Sequence, residues 1–148
     1  MRLLLCASLL SALVLSACGS SPEDAAKEQA ATEAALQWLA LLDQEAYATS
    51  WDEAGGVFQA QMSAEGWVQT MQAVMAEVGT EGAGLDLTQR QLVTARYTDA
   101  LPEAPPGEYV LVQFATAADT LEVLETVTLH LAAGEWKVQG YYIVPGDS

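Results

Sequence analysis

The spacing of apolar residues changes once along this chain, from a helical period to a period of two near residue 85. The helical spacing predicts three helices, over about 21–43, around Tyr47 and Trp51, and from Ser63 to Gly79. The alternating part predicts four strands, over about 85–97, 108–116, 121–132 and 135–144. The Pro-rich segment 101–107 cannot pair as a central strand and is predicted to be a loop. The short connections between the last three predicted strands indicate an antiparallel sheet. We therefore expect an α+β domain, with three N-terminal helices packed on one face of a four-stranded antiparallel sheet.

The first 17 residues predict an export signal. Arg2 is followed by an apolar run that is too short for a membrane span of about 20 residues. The run ends in Leu15-Ser16-Ala17-Cys18, which resembles the lipobox of bacterial lipoproteins. An ordinary signal peptide with a chance cysteine is the alternative. We therefore expect a signal peptide over 1–17, a lipidated tether over 18–24 with the lipid on Cys18, and a single domain over 25–148.

The expected lipid also predicts a location. Two or three acyl chains hold a protein firmly to a bilayer. By resemblance to lipoprotein sorting in two-membrane bacteria, Gly19 in place of an aspartate implies the outer membrane. We expect an exported protein that is lipid-anchored in the bacterial envelope, at the outer membrane and facing the periplasm.

The composition excludes several chemistries. Loss of Arg2 with the signal leaves 4 basic residues against 20 acidic ones, which repels nucleic acid. Cys6 is removed and Cys18 is lipidated, so the mature domain has no thiol for a disulfide, redox chemistry or a metal. The single histidine, His130, excludes a His-rich zinc site and is expected to be an exposed strand residue opposite Lys137. No metal and no cofactor is expected apart from the covalent lipid, and no nucleic-acid partner.

One predicted strand face carries a carboxylate among aliphatic residues. A two-residue turn at Ala133-Gly134 pairs Glu125 with Tyr142, and Gly140 leaves a gap beside them. In one interpretation Glu125 is a structural acid bonded to Tyr142, a Trp indole N–H or Arg90. In the other it lines a ligand pocket and acts as a general acid or base. The candidate pocket residues are Glu125, Tyr142, Gly140, Trp38, Trp51 and Arg90.

The opposite face of the predicted sheet is too apolar for a fully solvated surface. It is a candidate surface for a homodimer or for an envelope protein partner. The candidate residues are Tyr109, Leu111, Leu124, Tyr141 and Ile143.

Spaced aromatic residues link the chain to a family. They include Trp38-Leu39, Ser50-Trp51, Trp67, Gly107-Glu108-Tyr109-Val110, Trp136-Lys137-Val138 and Gly140-Tyr141-Tyr142. Over roughly Ala34 to Val144 the chain resembles the bacterial domain-of-unknown-function family numbered 4019. The resemblance implies a small cone-like α+β fold, similar to nuclear-transport-factor-2 and cystatin domains, and no established activity.

Three functions from different classes are consistent with these observations. We favour an envelope-anchored, non-catalytic binding or interaction module, because no catalytic constellation is visible. The alternatives are a small-molecule pocket enzyme that uses Glu125 and Tyr142 as acid and base, and a structural envelope component.

Overall fold

The computed structural model describes residues 20–119 and 121–146, so the predicted signal peptide, Cys18 and Gly19 lie outside the described residues. The elements are α1 (Pro22–Asp43), α2 (Tyr47–Glu53), α3 (Gly56–Gln61), α4 (Ala64–Val78), a 3-10 turn (Leu87–Gln89), β1 (Gln91–Thr98), β2 (Tyr109–Ala118), β3 (Leu121–Ala132) and β4 (Glu135–Pro145). The strands form one antiparallel sheet in the order β1-β2-β3-β4. The expected α+β class and meander are therefore confirmed. Within the described part of the chain, no helix combines the length and apolar character needed to cross a membrane.

The predicted helix count of three is wrong, because the helical layer has four members. The additional helix is α3, which has Gly55 as its N-cap and buries Phe58. The two longer helices begin as the sequence predicts. Ser21 Oγ accepts a hydrogen bond from Asp24 N (3.1 Å), and Ser63 Oγ accepts one from Gly66 N (3.2 Å).

The predicted first strand begins too early. Leu85 and Leu87 are buried, but they lie in a 3-10 turn and the segment before it. Asp86 Oδ1 accepts hydrogen bonds from the backbone N–H (3.1 Å) and the hydroxyl (2.6 Å) of Thr88. These local bonds compete with strand pairing, so the ladder of β1 begins only at Gln91.

The main hydrophobic core lies between the helices and the sheet, and a second, smaller cluster contains Leu85, Leu87 and Val123. α1 contributes Ala31, Ala35, Trp38, Leu39 and Leu42, and the sheet contributes Val110, Val112, Phe114, Val127, Leu129 and Val138. These strand residues alternate in sequence, as expected for strands with one buried face. Glu125 lies on the same face of β3 and is fully buried.

A β-bulge at Gln139 changes the register between β3 and β4. Near the Ala133-Gly134 turn the predicted pairs Leu131–Trp136 and Leu129–Val138 form. Gln139 has no partner in β3. Beyond it the pairs are Thr128–Gly140, Val127–Tyr141, Thr126–Tyr142 and Glu125–Ile143. The predicted pairing of Glu125 with Tyr142 is therefore wrong. One extra residue exchanges the two faces, so Tyr141 faces the helices and Tyr142 faces away from them.

The bulge coincides with the attachment of α3 to the edge of β4. Gly55 N donates to Val138 O (2.7 Å), immediately before the extra residue. A side chain at position 55 would start 2.2 Å from Gln139 Nε2, so any larger residue there would have to displace the Gln139 amide.

Charged contacts hold the start of α1 against β1. Lys27 Nζ pairs with Glu108, and Tyr97 Oη donates to Glu108 Oε1 (3.0 Å). Tyr97 N donates to Glu28 Oε1 (3.0 Å), which covers part of the sheet edge. The hydrogen bond from Lys27 is the main cause that lowers the pKa of Glu108 below its ordinary value.

Lys27→Met is expected to raise the pKa of Glu108 toward the ordinary range, because the variant loses the main donor to this carboxylate. A carboxyl with a lowered pKa stabilises the fold above its unfolded-state pKa. That stabilisation is lost as the pH falls through the folded-state pKa. An NMR titration of the Glu108 carboxyl carbon measures the shift. Lys137→Met, which affects a pair with Glu135, is the control. An unchanged Glu108 titration in Lys27→Met would contradict the assignment.

Candidate functional site

A chain of four side chains runs through the buried side of the sheet. Glu125 Oε2 accepts from Arg90 Nε (3.0 Å), and Glu125 Oε1 accepts from Tyr141 Oη (2.9 Å). The Arg90 guanidinium also donates to both oxygens of Asp43, with each distance 2.7 Å. We call Asp43, Arg90, Glu125 and Tyr141 the ionic chain. Arg90, one of the partners predicted for Glu125, is confirmed, whereas Tyr141 replaces the predicted Tyr142.

Different elements bring the members of the ionic chain together. Asp43 ends α1, Arg90 follows the 3-10 turn, Glu125 lies in the middle of β3, and Tyr141 follows the bulge of β4. The Arg90 side chain is only 6% exposed. Burial lowers its pKa, but Asp43 and Glu125 more than compensate, and the net pKa lies above the ordinary value. The guanidinium is therefore a permanent positive charge between two carboxylates.

The ionic chain is poorly suited to proton transfer. Both oxygens of Glu125 already accept hydrogen bonds, and its side chain is almost completely buried. Burial and the neighbouring Glu125 carboxylate raise the pKa of the Tyr141 phenol well above its ordinary value. The phenol therefore keeps its proton at neutral pH and donates it to Glu125 in a hydrogen bond. This arrangement corresponds to the structural acid, the first of the two interpretations of Glu125.

Aromatic rings occupy the space where a gap beside Glu125 was predicted. The Trp67 ring centre lies 5.0 Å from Phe58, 5.9 Å from Trp38 and 6.1 Å from Tyr141. The Trp38 indole N–H donates to Ser50 O (2.7 Å), and the Trp67 indole N–H donates to Ser50 Oγ (2.9 Å). We call Trp38, Phe58, Trp67 and Tyr141 the aromatic cluster.

The six predicted pocket residues therefore do not line one pocket, although Arg90 does contact Glu125. Trp38 is part of the packed core, and Arg90 is engaged in the ionic chain. Trp51 is half-buried at the edge of the core, and its indole N–H donates to Met62 O (2.8 Å). Gly140 and Tyr142 lie on the opposite face of the sheet.

Tyr141→Phe is expected to lower the free energy of unfolding by about 1.5–3 kcal/mol, the usual range for a hydrogen bond to a charged group. The phenol that it removes is bonded to the buried Glu125 carboxylate. Tyr142→Phe is the matched control. Its side chain is exposed, so we expect a change within about 0.5 kcal/mol. Urea unfolding of both variants measures the difference, and equal effects would contradict the observed register.

The outer face of the sheet differs from the predicted partner surface. Tyr141 and Ile143 face the helices because of the bulge. Tyr109 is buried, since the loop before β2 covers it and Tyr109 Oη donates to Pro105 O (2.5 Å). His130 stacks on the Tyr109 ring at 4.6 Å and is half-buried, so its predicted exposure is wrong. Leu111 and Leu124 are half-buried in the same outer face.

The loop over this face forms the wall of a groove. We call residues 101–107 the strap, and the space between the strap, α3 and β4 the strap groove. It has a volume of about 350 Å³. Its lining includes Val57 and Gln61 from α3, Leu101 to Pro105 from the strap, and Gln139, Gly140 and Tyr142 from β4. Two of the predicted pocket residues, Gly140 and Tyr142, thus line a groove on the face opposite to Glu125.

A second, larger groove of about 440 Å³ lies at the C-terminal end of α1. Its acidic lining residues are Asp43, Glu45, Glu81 and Asp86. Asp43 is already paired with Arg90, and Asp86 caps the 3-10 turn. In the part of the chain that the structure describes, no three His, Cys, Asp or Glu side chains are grouped to hold a metal ion. The strap groove, whose lining carries less charge, is the better candidate for a binding site.

The sequence contains only an ambiguous signal for the bulge. Trp136 and Val138 are even-numbered core residues of β4, whereas Tyr141 and Ile143 are odd-numbered. However, the even-numbered Tyr142 and Val144 are equally apolar, so the pattern fits a continuous strand as well as one with an extra residue. A bulge would have placed Ile143 opposite Glu125, with Tyr141 as a diagonal neighbour of Glu125 on the same face. No comparable sequence signal indicates Asp43, because its contact with Arg90 depends on how α1 packs on the sheet.

Comparison with known proteins gives one match. No curated protein and no solved structure matches the chain. A family model with the description "Protein of unknown function (DUF4019)" matches residues 34–141. The match covers most of the chain and includes the whole ionic chain and the strap. The chain therefore belongs to the DUF4019 family of proteins of unknown function.

Proposed function

We propose that this chain is an envelope-anchored lipoprotein with a non-catalytic binding domain, and that the strap groove is its binding site. The observation that carries the proposal is the position of Tyr142. Its ring is 66% exposed at the wall of a groove that is otherwise formed by neutral side chains and Glu103. Exposed aromatic rings beside polar groups are common in binding sites, because one surface supplies both contact area and hydrogen bonds.

The enzymatic alternative has less support. Glu125 and Tyr142 lie on opposite faces of the sheet and cannot act on one substrate as acid and base. Glu125 is buried, and both of its oxygens already accept hydrogen bonds from Arg90 and Tyr141. A structural envelope component without a ligand is the second alternative, which the experiment below separates from a binding module.

The anchor and the cone-like fold are parts of the same proposal. Only three residues separate Cys18 from the start of α1, and such a link spans at most roughly 14 Å, so a lipid on Cys18 would keep the domain close to its membrane. Gly19 favours the outer membrane, with the domain facing the periplasm. One helical layer on one face of an antiparallel sheet supports the likeness to nuclear-transport-factor-2 and cystatin domains.

Thermal unfolding of the full chain in mild detergent, against a library of sugars, peptides and metabolites, tests the binding role. A ligand at about 100 times its Kd adds roughly 2.7 kcal/mol of stability. We expect at least one stabilising compound whose effect is lost in Tyr142→Ala. The effect should be kept in Val144→Ala, which changes an exposed residue of β4 outside the groove. No stabilising compound, or equal loss in both variants, would contradict a ligand site in the groove and favour the structural alternative.

Labelled palmitate tests the anchor. The wild-type chain is expected to incorporate the label, and Cys18→Ala to incorporate none. Label in the variant would show that Cys18 is not the lipidated residue.

A further inference from the structure

The amide of Gln139 has unused hydrogen-bonding capacity at the strap groove. Gln139 lines the groove, and its Oε1 is buried without a hydrogen-bond partner among the described residues. An unpaired buried acceptor is unfavourable, and a donor from a ligand would remove that cost once the side chain turns its amide toward the groove. A half-turn of the terminal torsion exchanges the oxygen and the nitrogen, so this amide can present an acceptor or a donor to the groove.

The charge of the groove favours an uncharged ligand. Of the described residues that line it, Glu103 alone is charged. The whole chain carries a net charge of −15, so phosphates and other anions are repelled. The groove offers no cluster of carboxylates to a strongly basic peptide. A neutral ligand with many hydroxyl or amide groups fits this lining best.

The shape of the groove favours a sugar over an extended peptide. A peptide that adds a strand to β4 would need its free backbone edge. However, Val138 O already accepts a hydrogen bond from Gly55 N, and the bulge at Gln139 interrupts the ladder. The exposed Tyr142 ring instead offers a flat face. Gly140 lies beside this ring and has no side chain of its own. The negative face of an aromatic ring attracts the C–H groups of a pyranose.

We infer that the strap groove binds a neutral oligosaccharide that carries acetamido groups. The pyranose ring lies on Tyr142, the acetamido N–H and C=O pair with the amide of Gln139, and the acetyl methyl contacts Val57 or Leu101. The groove volume of about 350 Å³ lies at the lower end of the range of about 300–1,000 Å³ for small-ligand sites. This inference rests on the proposed function and names its ligand class.

Calorimetric titration of the full chain in mild detergent with N,N′-diacetylchitobiose and with cellobiose tests the inference. Both disaccharides have the same linkage, and only the first carries acetamido groups. We expect the acetylated disaccharide to bind at least about tenfold more tightly. Tyr142→Ala should weaken its binding at least about tenfold, which corresponds to about 1.4 kcal/mol. Gln139→Met should remove most of the preference over cellobiose, and Val144→Ala should change neither affinity.

The other outcomes separate the inference from the proposed function. Equal affinities for the two disaccharides, or a preference that persists in Gln139→Met, would overturn the acetamido assignment. If neither disaccharide binds while another library compound binds in a Tyr142-dependent way, the sugar inference fails and the binding module stands. If no compound binds at Tyr142, both fail.

Discussion

Arg90→Met is expected to lower the free energy of unfolding by about 3–5 kcal/mol, the usual cost of removing one partner from a buried ion pair. The variant leaves the carboxylate of Glu125, which is fully buried, without its positive partner. It also removes both hydrogen bonds from the guanidinium to Asp43 at the end of α1. Methionine preserves much of the side-chain volume, so the loss reports on charge and hydrogen bonding more than on packing. Urea unfolding at neutral pH, followed by circular dichroism, measures the change.

Arg96→Met provides the matched control for this variant. Arg96 is an exposed residue of β1, so its replacement should change stability by no more than about 0.5 kcal/mol. The double variant Arg90→Met with Glu125→Leu should regain part of the loss, because it no longer buries an unpaired charge. A loss below about 1 kcal/mol in Arg90→Met would mean that the ionic chain contributes little to the fold, contrary to this account.

The parts of the fold that depend on local pattern could be predicted from the sequence. The span of β3, Leu121–Ala132, matches the expected span because its alternation is unbroken and turn residues bound it. The start of α1 follows from Ser21 and Pro22. The span of α3 could not be predicted, since six residues are too few to show a helical period.

The site depends on features that act at a distance. The sequence indicated that the buried Glu125 needs a partner and included Arg90 among the candidates, because a charge in an apolar wall is rarely left unpaired. It could not indicate the strap groove. The prolines of 101–107 predict a loop, but its path over the outer face depends on contacts such as that of Tyr109 with Pro105. Because the strap forms one wall of the groove, the groove depends on that path.

Trp67→Ala is expected to destabilise the fold by about 3–5 kcal/mol, as is typical for truncating a large buried aromatic residue. Trp67 is 4% exposed, and its ring contacts Phe58, Trp38 and Tyr141. Trp67→Phe should cost less, because it keeps one ring and loses only part of the volume and the indole hydrogen bond to Ser50. Thermal and urea unfolding measure both variants.

Trp136→Ala is the control for Trp67→Ala, since this tryptophan lies near the β3–β4 turn and is only half-buried at the edge of the same core. If Trp136→Ala lowers the free energy of unfolding as much as Trp67→Ala does, the aromatic cluster stabilises the fold no more than other tryptophan contacts do. Combining Trp67→Ala with Arg90→Met tests a further point. Tyr141 packs on Trp67 and also donates to Glu125, so each change loosens a residue on which the other depends. We therefore expect the two losses to differ from additivity by about 0.5 kcal/mol or more, whereas additive losses would show that the aromatic cluster and the ionic chain stabilise the domain independently.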